Sequence, residues 1–342
     1  DGTNDASSVG LGTNALANDD GTTNQNTAVG TDALIANTSG WKNTAVGYHA
    51  LKGNITGLAN SSFGHLSSAN ITTGGYNVAV GLGALYDTTT GSFNVATGAS
   101  SLRGNTTGSN NTATGHYALY NNTTGGSNTT MGNKSLFNNT TGTRNTASGH
   151  YSGYGNTTGT HNTSYGSQSG QSTSSGTYNT ALGNGALITN TTGSNNTGVG
   201  NSATNSSGTV SNEFTLGNSS VNSLRCQVTT ITALSDERDK TDITDLDAGL
   251  DFINCLRPVD FTWNMRDGGK VGIPDVGFIA QELQQAQITN NKVIPQLVMD
   301  ENPDKLEAGY GALLPVMVKA MKELSAKNDA LEARLAVLEE TT

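Results

Sequence analysis

A 17-residue repeat runs through most of the first two thirds of the sequence. The Asn of "NTAVG" recurs at a constant step from Asn26 to Asn196, in eleven copies without a slipped register. The Gly four residues later keeps that step from Gly30 to Gly200, and a second Gly keeps it from Gly40 to Gly193. A disordered linker needs no fixed period, whereas in a solenoid each coil must stack on the next. The repeat therefore predicts a solenoid.

The unit reads roughly N-T-A-x-G-x-x-A-L-x-x-N-T-T-G-x-x. Gly closes each of two short β-capable segments and supplies the positive φ that tight corners require. Such a unit is too short for a helical repeat and suits one coil of a β-solenoid. Counting the Asn as position 1, position 3 is small, position 4 is often larger, and Leu recurs at position 9. Since neighbouring side chains in a strand face opposite ways, positions 3 and 4 should face different surfaces.

Each coil offers few apolar side chains to bury. We therefore expect several chains to associate around an axis and to complete the core. The Asn at position 1 can form a ladder of side-chain amides from coil to coil, which is a structural role. Eleven coils stacked at ~4.8 Å give a length on the order of 50 Å. We call residues 1–217 the rod.

The charge of the chain is concentrated in its last third. Residues 1–234 hold 37 of the 44 Gly but only 6 Lys/Arg and 7 Asp/Glu, whereas residues 235–342 hold 11 and 20. Thus 11 − 20 = −9 of the net charge of −10 lies there. Nucleic acid and anionic membrane surfaces attract basic clusters, and no apolar run approaches the ~18 residues of a membrane span. We expect neither a nucleic-acid partner nor membrane insertion.

The two cysteines, Cys226 and Cys255, have no metal-like spacing. We interpret them as reduced thiols of a protein made in the cytosol, and we predict no cofactor and no metal site. No secretory signal is visible. The sequence starts at Asp1, inside what already resembles repeat material, so we expect an N-terminal part to be missing.

An enzyme site within the rod is not expected. Glycan hydrolysis usually needs two carboxylates near one bond, yet the repeats contain only Asp32 and Asp87, more than three coils apart. His65, His116 and His150 share one coil position but are also coils apart, so only symmetry mates in an oligomer could join them on a metal. The late part of the rod is rich in aromatic residues, which are either structural or contact a glycan. They are Tyr117, Tyr120, Phe137, Tyr151, Tyr154, Tyr165 and Tyr178.

The last third has a mixed α+β pattern. The sequence predicts a short helix from Asp247 to Leu256, a strand after Pro258, a strand or turn over Val276–Phe278 that runs into a helix, and a short strand pair in "NNKVIPQLVMD". From Leu313 to the end it predicts a helix.

The final helix carries apolar residues at alternating steps of three and four, which is an a/d heptad seam. The seam residues are Leu314, Met317, Met321, Leu324, Asn328, Leu331, Leu335 and Leu338. A polar residue at an a position, here Asn328, typically fixes the register. We predict a three-stranded coiled coil over residues 313–340; the alternative is a surface helix packed on its own domain.

A charged string, "LSDERDKTDI", joins the two parts of the chain. A Ser hydroxyl is a weak nucleophile until a base takes its proton. No His follows His161, whereas Lys240 lies five residues after Ser235 and carries an amine. The carboxylates of Asp236, Glu237 and Asp239 would favour the protonated amine, so folding must hold them elsewhere. Arg238 could assist the base or stabilise an oxyanion. By itself this spacing is also typical of a charged linker.

Two resemblances add to these predictions. The strings "NTAVG", "NVAVG" and "NTALG", over roughly residues 20–217, resemble the head repeats of trimeric autotransporter adhesins, which implies a trimeric parallel β-roll or β-helix. The strings "SDERDKTDI", "LDFINCLRPVDFTW", "GFIAQEL" and "YGALLPVMVKAMKEL" resemble the intramolecular chaperone domain of phage endosialidases and tail fibres, of the peptidase S74 type.

The second resemblance implies a domain that trimerises, guides an upstream β-rich fibre to fold and then cuts itself off. The catalytic pair of that family corresponds to Ser235 and Lys240. The implied scissile bond is Ser235–Asp236, with Leu234–Ser235 as the alternative.

The sequence thus predicts a rod over 1–217, a neck over 218–234 and an auto-processing chaperone domain over 235–342. We expect a homotrimeric phage tail fibre or tail spike, made in the host bacterial cytoplasm and located in the virion. Its rod would bind a bacterial surface glycan or protein receptor, and its missing part would join other tail components. The alternatives are a trimeric bacterial surface adhesin, against which the polar end "LEETT" argues, and a depolymerase whose enzyme domain precedes Asp1.

Overall fold

The structure is a computed structural model that describes residues 7–20, 24–221, 223–225, 235–266, 270–300, 302, 304 and 306–341. The chain divides into two compact units, Asp1–Asn218 and Ser219–Thr342. Much of the predicted neck, including Cys226 and residues 227–234, lies outside the described residues.

The first unit is a parallel β-solenoid of about 12 turns, as the repeat predicts. Within its described residues, thirteen three-residue strands form one sheet in sequence order. Each strand pairs in parallel with the equivalent residues of the next coil, as Thr27 does with Thr44, and only the first step is one residue longer, because Val9 pairs with Thr27. The strands are β1 Val9–Leu11, β2 Thr27–Val29, β3 Thr44–Val46, β4 Ser61–Phe63, β5 Val78–Val80, β6 Val95–Thr97, β7 Thr112–Thr114, β8 Thr129–Met131, β9 Thr146–Ser148, β10 Thr163–Tyr165, β11 Thr180–Leu182, β12 Thr197–Val199 and β13 Phe214–Leu216.

The described coils contain one strand each, whereas the sequence indicated two β-capable segments. In the coil that starts at Asn43, the backbone takes positive φ at Gly47 (138°), His49 (55°) and Leu51 (50°). A left-handed residue at every second position cannot continue an extended strand. The second segment is therefore a run of turns, yet its amides still bond neighbouring coils: His49 N–H donates to Thr31 O and Leu51 N–H to Ser67 O, each at 3.0 Å.

The core of the solenoid follows the predicted division of positions 3 and 4. Ala28 and Ala45 at position 3 are fully buried, and so is the Leu at position 9, as in Leu34. The outward side chains at position 4 are partly or largely exposed, and Phe63 is 41 % exposed. The interior of the solenoid in the single chain is thus filled by the small side chain of position 3 and the branched side chain of position 9 from successive coils.

The predicted Asn ladder is confirmed. Asn26 Oδ1 accepts the backbone N–H of Asn43 at 2.9 Å, and Asn43 Nδ2 donates to Gly57 O at 2.8 Å. A second ladder, which the sequence reading did not single out, uses the Asn at position 12: Asn54 Nδ2 donates to Asn37 Oδ1 at 2.8 Å. These side-chain amides form hydrogen bonds with backbone groups that would otherwise be buried without partners at the coil corners.

The second unit is a small α+β domain. After a 3₁₀ turn at Glu237–Asp239, its elements are α1 Leu250–Ile253, β14 Val259–Asn264, β15 Val271–Gly277, α2 Ala280–Asn290, β16 Val298–Met299, β17 Glu307–Ala308, a 3₁₀ turn at Tyr310–Ala312, and α3 Leu313–Glu340. Strands β14 and β15 form an antiparallel hairpin, and β16 pairs with β17. The predicted order of elements is confirmed, except that β16 finds its partner beyond the string that predicted a strand pair.

Helix α1 is much shorter than the predicted helix over 247–256. Its first amide, Leu250 N–H, donates to the Glu323 carboxylate of α3 at 2.7 Å, and the Asp247 side chain pairs instead with Lys292. These long-range contacts fix the start of α1 at Leu250, and a short-range sequence pattern does not reveal them.

Helix α3 has two different apolar faces. Leu313 and Val316 belong to the domain core, together with residues such as Phe252 and Leu283, and Ala320 is also buried. The residues of the predicted heptad seam remain exposed in the single chain, from Leu314 at 66 % to Leu338 at 62 %. The first turns of α3 therefore pack on their own domain, while the seam residues do not contribute to its core.

No helix among the described residues combines the length and apolar character that a bilayer crossing requires.

Candidate functional site

The candidate site is the turn at the start of the second unit. Asp236 caps the 3₁₀ turn Glu237–Asp239, because its Oδ1 accepts the backbone N–H of Arg238 at 2.9 Å. Lys240 N–H donates to Glu237 O at 3.1 Å and closes the turn. This tight reversal brings the side chain of Lys240 back towards Ser235.

The two predicted residues are in contact. Lys240 Nζ lies 2.7 Å from Ser235 Oγ and 3.2 Å from the carbonyl oxygen of Ser235. Both residues are exposed in the single chain. One amine therefore reaches the hydroxyl of the candidate nucleophile and the carbonyl group of the Ser235–Asp236 bond.

Arg238 neutralises the acidic residue next to this pair. Its Nε donates to both carboxylate oxygens of Asp236, at 3.0 and 3.2 Å. The side chain of Arg238, and then its backbone N–H, hold the pKa of Asp236 below its ordinary value. Asp236 is thereby turned to Arg238 rather than to Lys240, while Glu237 and Asp239 lie exposed on the turn. The sequence reading left the role of Arg238 open; the Asp-x-Arg spacing across one turn was the available signal.

The candidate residues of the rod remain apart. Asp32 accepts from Asn14 Nδ2 at 2.9 Å and contacts His49 Nε2 at 3.0 Å, and chiefly the bond from Asn14 lowers its pKa. Asp87 lies in another coil, beside Asn70.

The three histidines that share a coil position stay in separate coils. Each ring lies against a tyrosine: His65 against Tyr48, His116 against Tyr117, and His150 against Tyr151. Within the described part of the chain, no group of three or more His, Cys, Asp or Glu side chains is placed to hold a metal ion. Cys255 is an exposed free thiol.

The fold and the site define a class of protein: a fibre-like parallel solenoid followed by a small α+β domain that opens on a Ser–Lys turn. Comparison with protein families identifies the second part. Residues 235–299 match the peptidase S74 family model, described as the chaperone of endosialidase. This segment is a domain of that family, and with the solenoid before it the chain is a tail-fibre-like or tail-spike-like protein with an intramolecular chaperone.

The family implies a peptidase-type self-cleaving activity in general, and its chaperone domain is typical of phage tail proteins. Neither the curated proteins nor the solved structures contain a significant match to this chain.

Proposed function

We propose that this chain is part of a homotrimeric phage tail fibre or tail spike that releases its own chaperone domain. The C-terminal domain would align three chains, let the solenoid fold and then be cut off near Ser235–Asp236. Lys240 is the proposed base and Ser235 the proposed nucleophile. The contact between Lys240 Nζ and Ser235 Oγ, at 2.7 Å, carries this proposal.

The chemistry follows from the contact between Lys240 Nζ and Ser235 Oγ. The unprotonated amine takes the proton of Ser235 Oγ, and the alkoxide attacks a carbonyl carbon. The resulting ammonium gives its proton to the departing backbone nitrogen. The ester that forms is hydrolysed by water, which restores the hydroxyl and leaves a new carboxylate and a new amine.

The covalent geometry links the position of the cut to the chain that supplies the nucleophile. Ser235 Oγ reaches its own carbonyl carbon only through a strained four-membered ring. It reaches the preceding carbonyl, that of Leu234, through a five-membered ring. We therefore propose that a cut at Ser235–Asp236 uses the hydroxyl of a neighbouring protomer, whereas a cut at Leu234–Ser235 occurs within one chain.

Two exposed apolar surfaces support the homotrimer. One is the heptad seam of α3, which lies largely exposed in the single chain. The other is the outward column at position 4 of the rod, whose members include Leu11, Phe63, Val80, Met131, Tyr165, Leu182 and Leu216, all 38 % exposed or more. Each of these two apolar rows repeats at a regular spacing along its own unit. Such rows are suited to pack against the same row of further copies of the chain.

Self-release has a kinetic rationale. Near-identical coils offer many wrong registers that are almost as favourable as the right one. A compact domain with a coiled coil brings three chains together in one register and raises their effective concentration. Cleavage removes this folding nucleus. Any unfolding of the released rod must then proceed without it, so the kinetic stability of the rod rises.

We propose that the mature rod binds a glycan or protein receptor on a bacterial surface, and that other tail components bind through a preceding segment. The protein would then be made in the host cytoplasm and reside in the virion. A bacterial adhesin that uses the same release domain, and a depolymerase with an upstream enzyme domain, are the alternatives.

Intact-mass measurement of the products tests the chemistry. A released fragment that begins at Asp236 supports the cut after Ser235, and one that begins at Ser235 supports the other bond. Co-expression of a tagged Ser235→Ala chain with wild type then tests the trans step. If the cut follows Ser235, the tagged chain should be cleaved in mixed trimers; a tagged chain that always stays intact would contradict the trans attack.

A further inference from the structure

A cluster of aromatic and basic side chains lies on the outside of three consecutive coils. It comprises positions 6, 7 and 10 of the coils that begin at Asn111, Asn128 and Asn145, and we call it the aromatic face. At position 10, the rings of Tyr120, Phe137 and Tyr154 stack from coil to coil. Their centroids are 5.2 and 5.4 Å apart, and the planes differ by 5° and 10°.

Position 7 places a cation between two tyrosines beside this stack. Lys134 Nζ donates to Tyr151 OH at 3.2 Å and lies 5.9 Å from the ring centroid of Phe137. Tyr117 meets Tyr120 edge-on at 5.1 Å. These rings are half-buried against one another, so they lose little conformational freedom on binding.

Position 6 adds exposed polar groups at the border. His116 and His150 are exposed and lie against Tyr117 and Tyr151, at 3.9 and 4.2 Å between ring centroids. Between them, Asn133 Nδ2 contacts His116 Nδ1 at 3.2 Å. The face thus combines aromatic carbon with hydroxyl, imidazole, amide and ammonium groups along the solenoid.

The charge of this part of the rod is unusual for so acidic a chain. Residues 88–212 contain no Asp or Glu but contain Arg103, Lys134 and Arg144, whereas the whole chain has a net charge of −10. The bond to Tyr151 also raises the pKa of Lys134, which keeps its amine charged. A positive surface on a negative protein favours an anionic ligand.

We infer that the aromatic face binds a carboxylate-bearing polysaccharide that lies along the solenoid. Aromatic carbon contacts the apolar faces of the sugar rings, the polar groups bond their hydroxyls, and Lys134 pairs with a carboxylate. A polymer with a repeated unit can contact successive coils and the equivalent faces of neighbouring protomers, which strengthens weak individual contacts. This inference rests on the proposed receptor-binding role of the rod and names its ligand class.

The repeat itself supplies substitutions that the fold tolerates. Gln168 holds the position of Lys134 two coils further on, and Gln171 holds the position of Tyr154 in the next coil. Lys134→Gln and Tyr154→Gln should therefore fold. Tyr178→Asn is a matched control outside the face, because Asn195 holds the same position one coil later with a similar positive φ.

The experiment probes the protein as expressed on an array of acidic and neutral oligosaccharides, followed by titration of the strongest acidic binder and its methyl ester. We expect acidic oligosaccharides to dominate, the ester to bind about tenfold or more weakly, and added salt to weaken binding. Lys134→Gln and Tyr154→Gln should each reduce affinity by about tenfold, while Tyr178→Asn should not change it.

Three results would overturn the inference: no binding to any oligosaccharide, equal binding of acid and ester, or binding that both face variants retain. Binding of single-stranded DNA as tight as that of the sugar would also reject it, because the face would then recognise anions and bases without sugar selectivity. Cleavage of each variant, scored on the same samples, separates these failures from a failure of the self-release proposal.

Discussion

The residues at the junction show how an amine could act as a base in an acidic stretch of sequence. Arg238 binds Asp236 through side chain and backbone, so the nearest carboxylate is engaged away from Lys240. The family resemblance pointed to Ser235 and Lys240, whereas their spacing alone was also typical of a charged linker. Neither predicted the contact of Arg238, because that contact depends on the 3₁₀ turn that Asp236 itself caps.

Removal of the Arg238 side chain should slow self-cleavage. In Arg238→Gln the carboxylate of Asp236 is free to pair with Lys240 and to draw its side chain away from Ser235 Oγ. We expect about tenfold slower cleavage at neutral pH, measured on time-course gels. Arg334→Gln, on the exposed part of α3, is the matched control. An unchanged rate in Arg238→Gln would reject this role.

The Asp236–Arg238 ion pair also has a predicted acid limit. Folding lowers the pKa of Asp236 below its ordinary value. The stability that this ion pair contributes is therefore present above the ordinary pKa and is lost as the pH falls through the folded pKa. Titration of the Asp236 carboxyl by NMR in Ser235→Ala should show the lowered pKa, and Arg238→Gln should bring it back towards the ordinary value.

The Asn ladder should contribute measurably to the stability of the rod. Asn111 Oδ1 accepts the backbone N–H of Asn128 at 3.0 Å, and its Nδ2 donates to Gly125 O at 2.9 Å. Asn111→Ala leaves buried groups without partners, which costs about 1–3 kcal/mol per chain. A lower denaturant midpoint is expected for Asn111→Ala, and an unchanged one for the exposed control Thr124→Ala. Equal midpoints would show that the ladder is dispensable.

Single coils show why residue-level detail escapes the repeat pattern. In the coil that starts at Asn60, Ser68 replaces the Leu of position 9, and Ile71 replaces the Asn of position 12. Both are fully buried, so the apolar side chain has moved from position 9 to position 12 of this coil. Periodicity predicted which positions face inward, but the exchange between two inward positions depends on packing volume.

At the scale of elements, helix α3 has one face that packs in the domain core and another that carries the heptad seam. Its first turns complete the domain core through Leu313 and Val316, and Glu323 caps α1. The heptad pattern predicted the helix correctly, and the coiled coil stays a prediction, but the pattern gave no sign of the second face. The length of α1 and the single strand per coil were missed for a related reason, since long-range hydrogen bonds decide both.

Charges in the seam should prevent assembly. Leu331→Asp together with Leu335→Asp would bury carboxylates between helices, so we expect a monomer in sedimentation equilibrium. Ala333→Asp lies on the exposed helix outside the seam and should leave the trimer intact. A trimer in the double variant would show that α3 does not hold the chains together. If the cut requires a neighbouring hydroxyl, the monomer should also remain uncleaved.

At the scale of the whole molecule, we expect folding and the later persistence of the trimer to depend on different parts of the chain. The C-terminal domain would set the register and the solenoid would then retain it. Ser235→Ala, which keeps both parts joined, should regain its trimer after dilution from guanidinium. The released rod should unfold more slowly and fail to refold, as followed by size-exclusion chromatography. Equal refolding of both forms would argue against a chaperone role.

The most direct test of self-release is a denaturing gel of freshly expressed protein. We predict two wild-type bands, of about two thirds and one third of the 342-residue chain, and a single intact band for both Ser235→Ala and Lys240→Ala. The same two bands from either variant would contradict the assignment of Ser235 and Lys240 as the cleaving pair.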